Sequence, residues 1–228
     1  MIESVLADNL QQQGREPALV AGHSLGELVA LYSAGVFGLE TGLQLMKTRS
    51  ELMASAGGGA MTAVIGFDRA QLDDLVAATD GVSIANDNSD AQVVISGSPE
   101  AVERVSGALK CKRAIPLAVS GAFHSPFMAQ AAERFAAELD NVPFLDARVP
   151  VLSNSAASAS TSADELKQRL KQQMTTGVRW RETMAAMTDN GVDTLVEIGP
   201  SNVLSGLAKR SMSGVTTAQI SGAGDLGQ

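Results

Sequence analysis

A serine stands between two glycines in Gly22-His23-Ser24-Leu25-Gly26, after the short apolar run "PALVAG" (17–22) and before a helix-forming run that reaches about Tyr32. Strand, sharp turn and helix in that order describe a nucleophile elbow, in which the turn lifts a serine hydroxyl out over a sheet. The pattern requires an α/β layer with an apolar strand behind the turn and a helix packed beside it. The five residues alone also fit a glycine-flanked turn serine with no chemistry. The strand-turn-helix context favours the catalytic reading. A serine alcohol is a poor nucleophile at neutral pH, so such a site needs a base.

The surrounding chain divides into a core and an insert. Apolar spacing predicts helices over 2–13 and 40–56, and then "GGG" at 57–59 breaks the rhythm. Residues 57–119 follow a different order. A strand at 60–67 leads to a helix at 68–79 capped by Asp68, and strands at 82–86 and 91–97 follow. A helix at 98–110 with Ser98 as cap and Pro99 at its first position, then a strand at 112–119, complete the segment. That order, β-α-β-β-α-β, is ferredoxin-like. The larger pattern then resumes with a helix at 126–140, a strand near 149–153, a small-residue loop "SAASASTSA" and helices at 163–174 and 180–190. A buried strand at 193–199, a helix at 201–212 with Ser201 as cap and a last edge strand "TTAQI" complete the chain. The expected fold is therefore α/β. An α/β-hydrolase-like core with a parallel sheet spans 1–56 and 120–228, and a ferredoxin-like subdomain spans 57–119.

Composition serves mainly to exclude. A net charge of −8 with no basic face interleaved by aromatics argues against nucleic-acid binding. The apolar stretches fall short of the roughly 20 residues that span a bilayer, and the N-terminus does not read as a signal peptide. The single cysteine, Cys111, rules out an internal disulfide framework and fits the cytoplasm. Basic clusters at Lys110, Lys112 and Arg113, at Arg179 and Arg181, and at Lys209 and Arg210 read first as solvated faces.

The chain has two histidines. On a tight elbow neighbouring side chains splay apart, so His23 does not easily reach the Ser24 oxygen. His124, in "VSGAFHSPFM", is then the reasonable base, although a lone loop histidine taken by itself is more often structural. Arg49, in "LMKTRSELM", sits on the otherwise apolar helix after the elbow helix, 25 residues beyond the serine. Spacing alone favours a solvated or snorkelling arginine. If it faces the cleft, its planar fork suits a carboxylate held in two parallel hydrogen bonds, and selects acyl groups that carry one.

"AGHSLGE", "KTRSELM", "GGGAMTAVIG", "ANDNSDAQVVISG", "GAFHSPFM", "VLSNSAA" and "VEIGPSNVLSGLAKR", taken together and in this order, resemble the malonyl-CoA:acyl carrier protein transacylases of bacterial type II fatty acid synthesis, relatives of polyketide synthase acyltransferase domains. The resemblance implies that Ser24 is malonylated, that His124 is its base, and that Arg49 clamps the malonyl carboxylate. It implies that the Gln173 backbone carbonyl orients the histidine, so that no triad aspartate is needed, and that the Leu25 N–H serves an oxyanion hole. Phe123 resembles the form associated with malonyl rather than methylmalonyl groups, and Asn86 and Asn88 would line the cleft. The reaction so implied is ping-pong, with malonyl-CoA as substrate and no permanently bound cofactor, metal, nucleic acid or membrane. Acyl carrier protein is the partner, met through the Lys209–Arg210 end. The family's opening strand and Gly-Gln-Gly loop have no counterpart here, so the sequence is expected to be N-terminally incomplete, with an open sheet edge or gap. A serine esterase on a similar elbow, and an inactive fragment that only binds carrier protein, remain the competing readings.

Overall fold

The structure, a computed structural model, describes residues 1–119 and 121–227; Ser120, where the second core segment was expected to begin, and Gln228 lie outside the described residues. Helix α1 (Ile2–Gln12) leads to the two-residue strand β1 (Val20–Ala21), the elbow, and then α2 (Gly26–Ser33) and α3 (Leu39–Ser55). β1 pairs in parallel with β6 (Val151–Leu152), Val20 opposite Val151 and Ala21 opposite Leu152. β6 in turn pairs antiparallel with β7 (Ala159–Ser160). α2 and α3 enclose an apolar core with α6 (Ala129–Asp140) and α7 (Ala163–Gln172), centred on Leu28, Leu31, Leu45, Phe135, Leu139 and Leu166.

Residues 60–116 form a separate four-stranded antiparallel sheet. Its strands are β2 (Ala60–Phe67), β3 (Val82–Ser89), β4 (Gln92–Gly97) and β5 (Cys111–Pro116), in the order β3-β4-β2-β5. The period of two along β2 sorts its side chains. Val64 faces α4 (Arg69–Ala77) and α5 (Pro99–Ala108) with Leu72, Val102 and Val105, while Met61 and Ala63 face the other way, toward Phe123. Asp68 and Ser98 cap α4 and α5, each accepting from the backbone N–H three residues on.

The remaining elements are α8 (Trp180–Asp189), β8 (Thr194–Ile198), α9 (Val203–Ser211) and β9 (Thr216–Ile220). β3 and the segment before α8 are joined by main-chain bonds, Asp87 N–H to Val178 O at 2.9 Å and Val178 N–H to Ala85 O at 2.7 Å. Asp87 also takes Arg69 on one oxygen (2.7 Å) and Arg181 on the other (2.9 Å). One carboxylate thus ties the antiparallel sheet to helices on both sides of the junction.

Four expectations need correction. The core sheet is mixed rather than parallel, because part of the small-residue loop returns as β7 against β6. The strand expected over 17–22 shrinks to Val20–Ala21, whose single neighbour is itself two residues long. β8 is not buried: Thr194 and Val196 are exposed, since among the described residues β8 pairs only with β9 and its other edge lines a cleft of about 880 Å³ shared with β1. The cap of α9 is Asn202, while the Ser201 hydroxyl accepts from the Val203 N–H.

Candidate active site

The elbow is held by contacts that its sequence does not display. A side chain at Gly22 would meet the Gly26 carbonyl carbon at 2.0 Å, so the turn closes only with glycine there. Gly26 has open space in the same direction, and packing does not require it. Ser24 sits at φ +52°, a left-handed conformation that costs a non-glycine residue on the order of 1 kcal/mol. Asn154, just after β6, holds it there: its Oδ1 accepts from the Ser24 N–H at 2.7 Å and its Nδ2 donates to Gly22 O at 2.7 Å. The Gln173 side chain closes the other side, donating from Nε2 to Ser24 O at 2.8 Å.

His124 is the second non-glycine residue at positive φ, +55°, and its side chain is buried. The loop before it is pinned by the Ser125 hydroxyl, which donates to Ala122 O at 2.6 Å. The imidazole Nδ1 lies 2.9 Å from Gln173 O, and Nε2 lies 2.7 Å from Ser24 Oγ. A carbonyl can only accept, so Nδ1 carries the proton and Nε2 offers its lone pair to the serine hydroxyl. Burial, helped by the Arg49 charge, pulls the His124 pKa from its ordinary 6.5 to about 4, against the Gln173 hydrogen bond. The imidazole is therefore neutral, as a base must be, at any physiological pH.

This shift has a consequence for stability. Between the two values the unfolded chain binds a proton that the folded chain refuses. His124 therefore contributes full stability above about pH 6.5, and the contribution is lost as pH falls toward 4, by about 3 kcal/mol in all. Denaturant unfolding followed from pH 7 to 4.5 should show this decline, and His124→Ala should make it shallower but not remove it, since burial lowers the His23 pKa as well.

Arg49, on α3, is 3% exposed. Its Nη2 donates to Ser24 Oγ at 3.0 Å and its Nε to Gln173 Oε1 at 2.9 Å. Burial lowers its pKa to about 10, with the Glu27 charge opposing, so it stays cationic. The solvated reading of this arginine does not hold.

The other expected residues surround this centre. His23 turns away from Ser24, as the splayed elbow requires; its Nε2 meets Asn88 Oδ1 at 2.8 Å and its ring lies 5.4 Å from that of Trp180. Asn88 is buried, and Asn86 Nδ2 stands 3.5 Å from the same imidazole nitrogen. Leu25 is exposed at the entry to α2, and Phe123 is half-buried between two apolar clusters. Lys209 and Arg210 are exposed in the last turn of α9. Two residues escaped the sequence reading: Asn154, and Glu27, fully buried in the first turn of α2. A charged residue on a short helix that is otherwise so apolar was the available signal for Glu27.

Among the described residues no cluster of His, Cys, Asp or Glu could hold a metal ion, and no helix is long and apolar enough to cross a membrane. The chemistry on offer is nucleophilic, with a hydroxyl shared between a neutral base and a buried cation.

Comparison with known proteins gives consistent results. Residues 1–224 match the acyl transferase domain family. The malonyl CoA-acyl carrier protein transacylase of Synechocystis sp. is 51% identical over 226 residues, which cover 99% of this chain and 77% of that protein. A crystal structure of the Synechocystis sp. PCC 6803 malonyl-CoA:ACP transacylase superposes with a TM-score of 0.97 at 51% identity, again over 99% of this chain and 77% of the other. The transacylase chain in a complex of a type II polyketide synthase acyl carrier protein with its malonyl-transacylase gives a TM-score of 0.92 at 37% identity, over 99% and 76%. The match runs through every element described above, and the chain belongs to the acyl transferase domain family.

Proposed function

We propose that this chain transfers a malonyl group from malonyl-CoA to the phosphopantetheine thiol of an acyl carrier protein, through a malonyl ester on Ser24. One observation carries the reading: His124 Nε2 and Arg49 Nη2 converge on the same Ser24 Oγ, at 2.7 and 3.0 Å. A base alone would serve any serine acyltransferase or esterase. A buried cation beside it serves an acyl group that ends in a carboxylate.

Ser24 Oγ attacks the thioester carbonyl while its proton passes to His124 Nε2. The tetrahedral oxyanion takes the Leu25 N–H, since the Ser24 N–H is already given to Asn154. The carbon–sulfur bond breaks and coenzyme A leaves with the proton from the imidazolium. In the second half-reaction the carrier thiol gives its proton to His124 and attacks the ester, and Ser24 Oγ leaves and regains that proton. The Gln173 carbonyl holds the imidazole in one tautomer through both halves, the part an aspartate plays in a triad. No bound cofactor is needed. Phe123 is assigned to the wall that limits branching of the acyl group, Asn88 to holding His23 at the cleft, and Lys209 with Arg210 to carrier docking.

The strand order β3-β4-β2-β5 supports reading 57–119 as a ferredoxin-like subdomain, and the elbow supports an α/β-hydrolase-like core in 1–56 and 120–228. The half-buried free thiol of Cys111 accords with a cytoplasmic setting.

The test is transfer itself. Incubation with malonyl-CoA and a phosphopantetheine-bearing carrier protein should add one malonyl group to the carrier, and Ser24→Ala should add none. Release of free malonate with no gain on the carrier would make the chain a thioesterase and overturn the reading.

A further inference from the structure

Glu27 is buried among the reacting groups without touching Ser24 Oγ, His124 or the proposed acyl carboxylate. Its Oε2 accepts from Gln173 Nε2 at 2.7 Å and from the Asn154 N–H at 3.2 Å. Its other oxygen, Oε1, has no hydrogen-bond partner among the described residues. The Gln173 amide is thereby fully occupied. One N–H goes to Ser24 O, the other to Glu27, and Oε1 faces the Arg49 Nε–H. Turned by half a rotation, the amide would set its NH2 against the Arg49 donor and its oxygen against two acceptors.

We propose that Glu27 is a positioning residue for acyl selection: its Oε2 locks the Gln173 amide with the oxygen toward Arg49, and so holds the guanidinium where an acyl carboxylate docks. The inference rests on the reading of Arg49 as the carboxylate clamp. It assigns the work to an acceptor oxygen at one place rather than to negative charge. Burial pushes the Glu27 carboxyl above its ordinary range, against the Gln173 and Asn154 hydrogen bonds and the Arg49 charge. Both hydrogen bonds to Oε2 could be accepted equally by an amide oxygen, and the nearby Ser153 hydroxyl, which can donate to a carboxylate, can accept from an amide nitrogen in the place of Oε1.

Two conservative variants separate acceptor from charge. Glu27→Gln keeps the reach and loses the charge. Glu27→Asp keeps the charge and, one methylene shorter, loses the reach to Gln173. Each is offered malonyl-CoA and acetyl-CoA in competition, and the two Ser24 adducts are counted by intact mass. The ratio does not depend on how much of the sample is folded. Glu27→Gln is expected to keep the malonyl preference within about threefold. Glu27→Asp is expected to lower it at least tenfold, chiefly through KM for malonyl-CoA, with acetyl transfer little changed. Preference kept by Glu27→Asp, or lost in Glu27→Gln, would overturn the proposal, as would an equal fall for both donors. Arg49→Ala is run alongside. If it leaves the preference intact, the carboxylate-clamp reading fails and the proposal with it; if it abolishes the preference while Glu27→Asp keeps it, the Glu27 proposal fails alone.

Discussion

His124→Ala is expected to slow malonylation of Ser24 by about 10²–10⁴-fold, the usual contribution of a positioned general base. The serine stays in place in this variant, because its conformation is held by Asn154 and Gln173 rather than by the imidazole. Ser24 then keeps the Arg49 hydrogen bond but has no group to take its proton. KM for malonyl-CoA should change little, since the imidazole does not touch the carboxylate end of the substrate in this account. The Gln173 carbonyl loses its donor, at a stability cost of about 1–3 kcal/mol, which a thermal melt would register as a folded but weakened chain. Quenched-flow mixing read by intact mass gives the acylation rate directly. A rate within threefold of the parent would remove His124 from the chemistry.

Arg49→Ala is the second large effect and should separate substrates. Losing one partner of a buried charged contact costs roughly 2–5 kcal/mol, so kcat/KM for malonyl-CoA should fall by about 30- to 5,000-fold. Acetyl-CoA has no carboxylate to lose and should be affected only a few-fold. Arg49→Lys should not restore the malonyl preference. An ammonium cannot bond Gln173 through one nitrogen while presenting a planar fork to a carboxylate. The same variant has an electrostatic signature. The Arg49 charge is the second-largest cause of the low His124 pKa, after burial. Its removal should move the His124 titration upward from about 4, as seen in the imidazole proton resonances. An unmoved titration would contradict the placement of the guanidinium.

The sequence showed the elbow well because the signal there is local: one glycine with no room for a side chain, one strand before it and one helix after it. The helix caps Asp68 and Ser98 were readable for the same reason, since each acts over three residues. His124 could be reached by elimination because His23 sits beside the serine. The carbonyl of Gln173 was legible only through family resemblance, because a backbone atom leaves no mark on residue type. The inward placement of Arg49 was legible only through the resemblance, because spacing alone favoured a solvated side chain. α3 offers an arginine on a helix, and only the contacts with Gln173 and Ser24 Oγ show that it points inward. β8 looked like a buried strand from "DTLVEIG", yet an apolar strand is buried only if something covers both its edges and faces, and here one edge borders a cleft. Glu27 and Asn154 act across more than 120 positions of chain, on Asn154 and Gln173 in one case and on Gly22 and Ser24 in the other. Spacing carries no trace of such pairs.

The mechanism turns on covalent malonylation of Ser24, with His124 as base and Arg49 beside the acyl carboxylate. Intact mass of the purified chain after brief exposure to malonyl-CoA, with Ser24→Ala in parallel, tests it most directly. One malonyl adduct is expected on the parent and none on the variant. An unmodified parent, or an adduct that persists in Ser24→Ala, would contradict it.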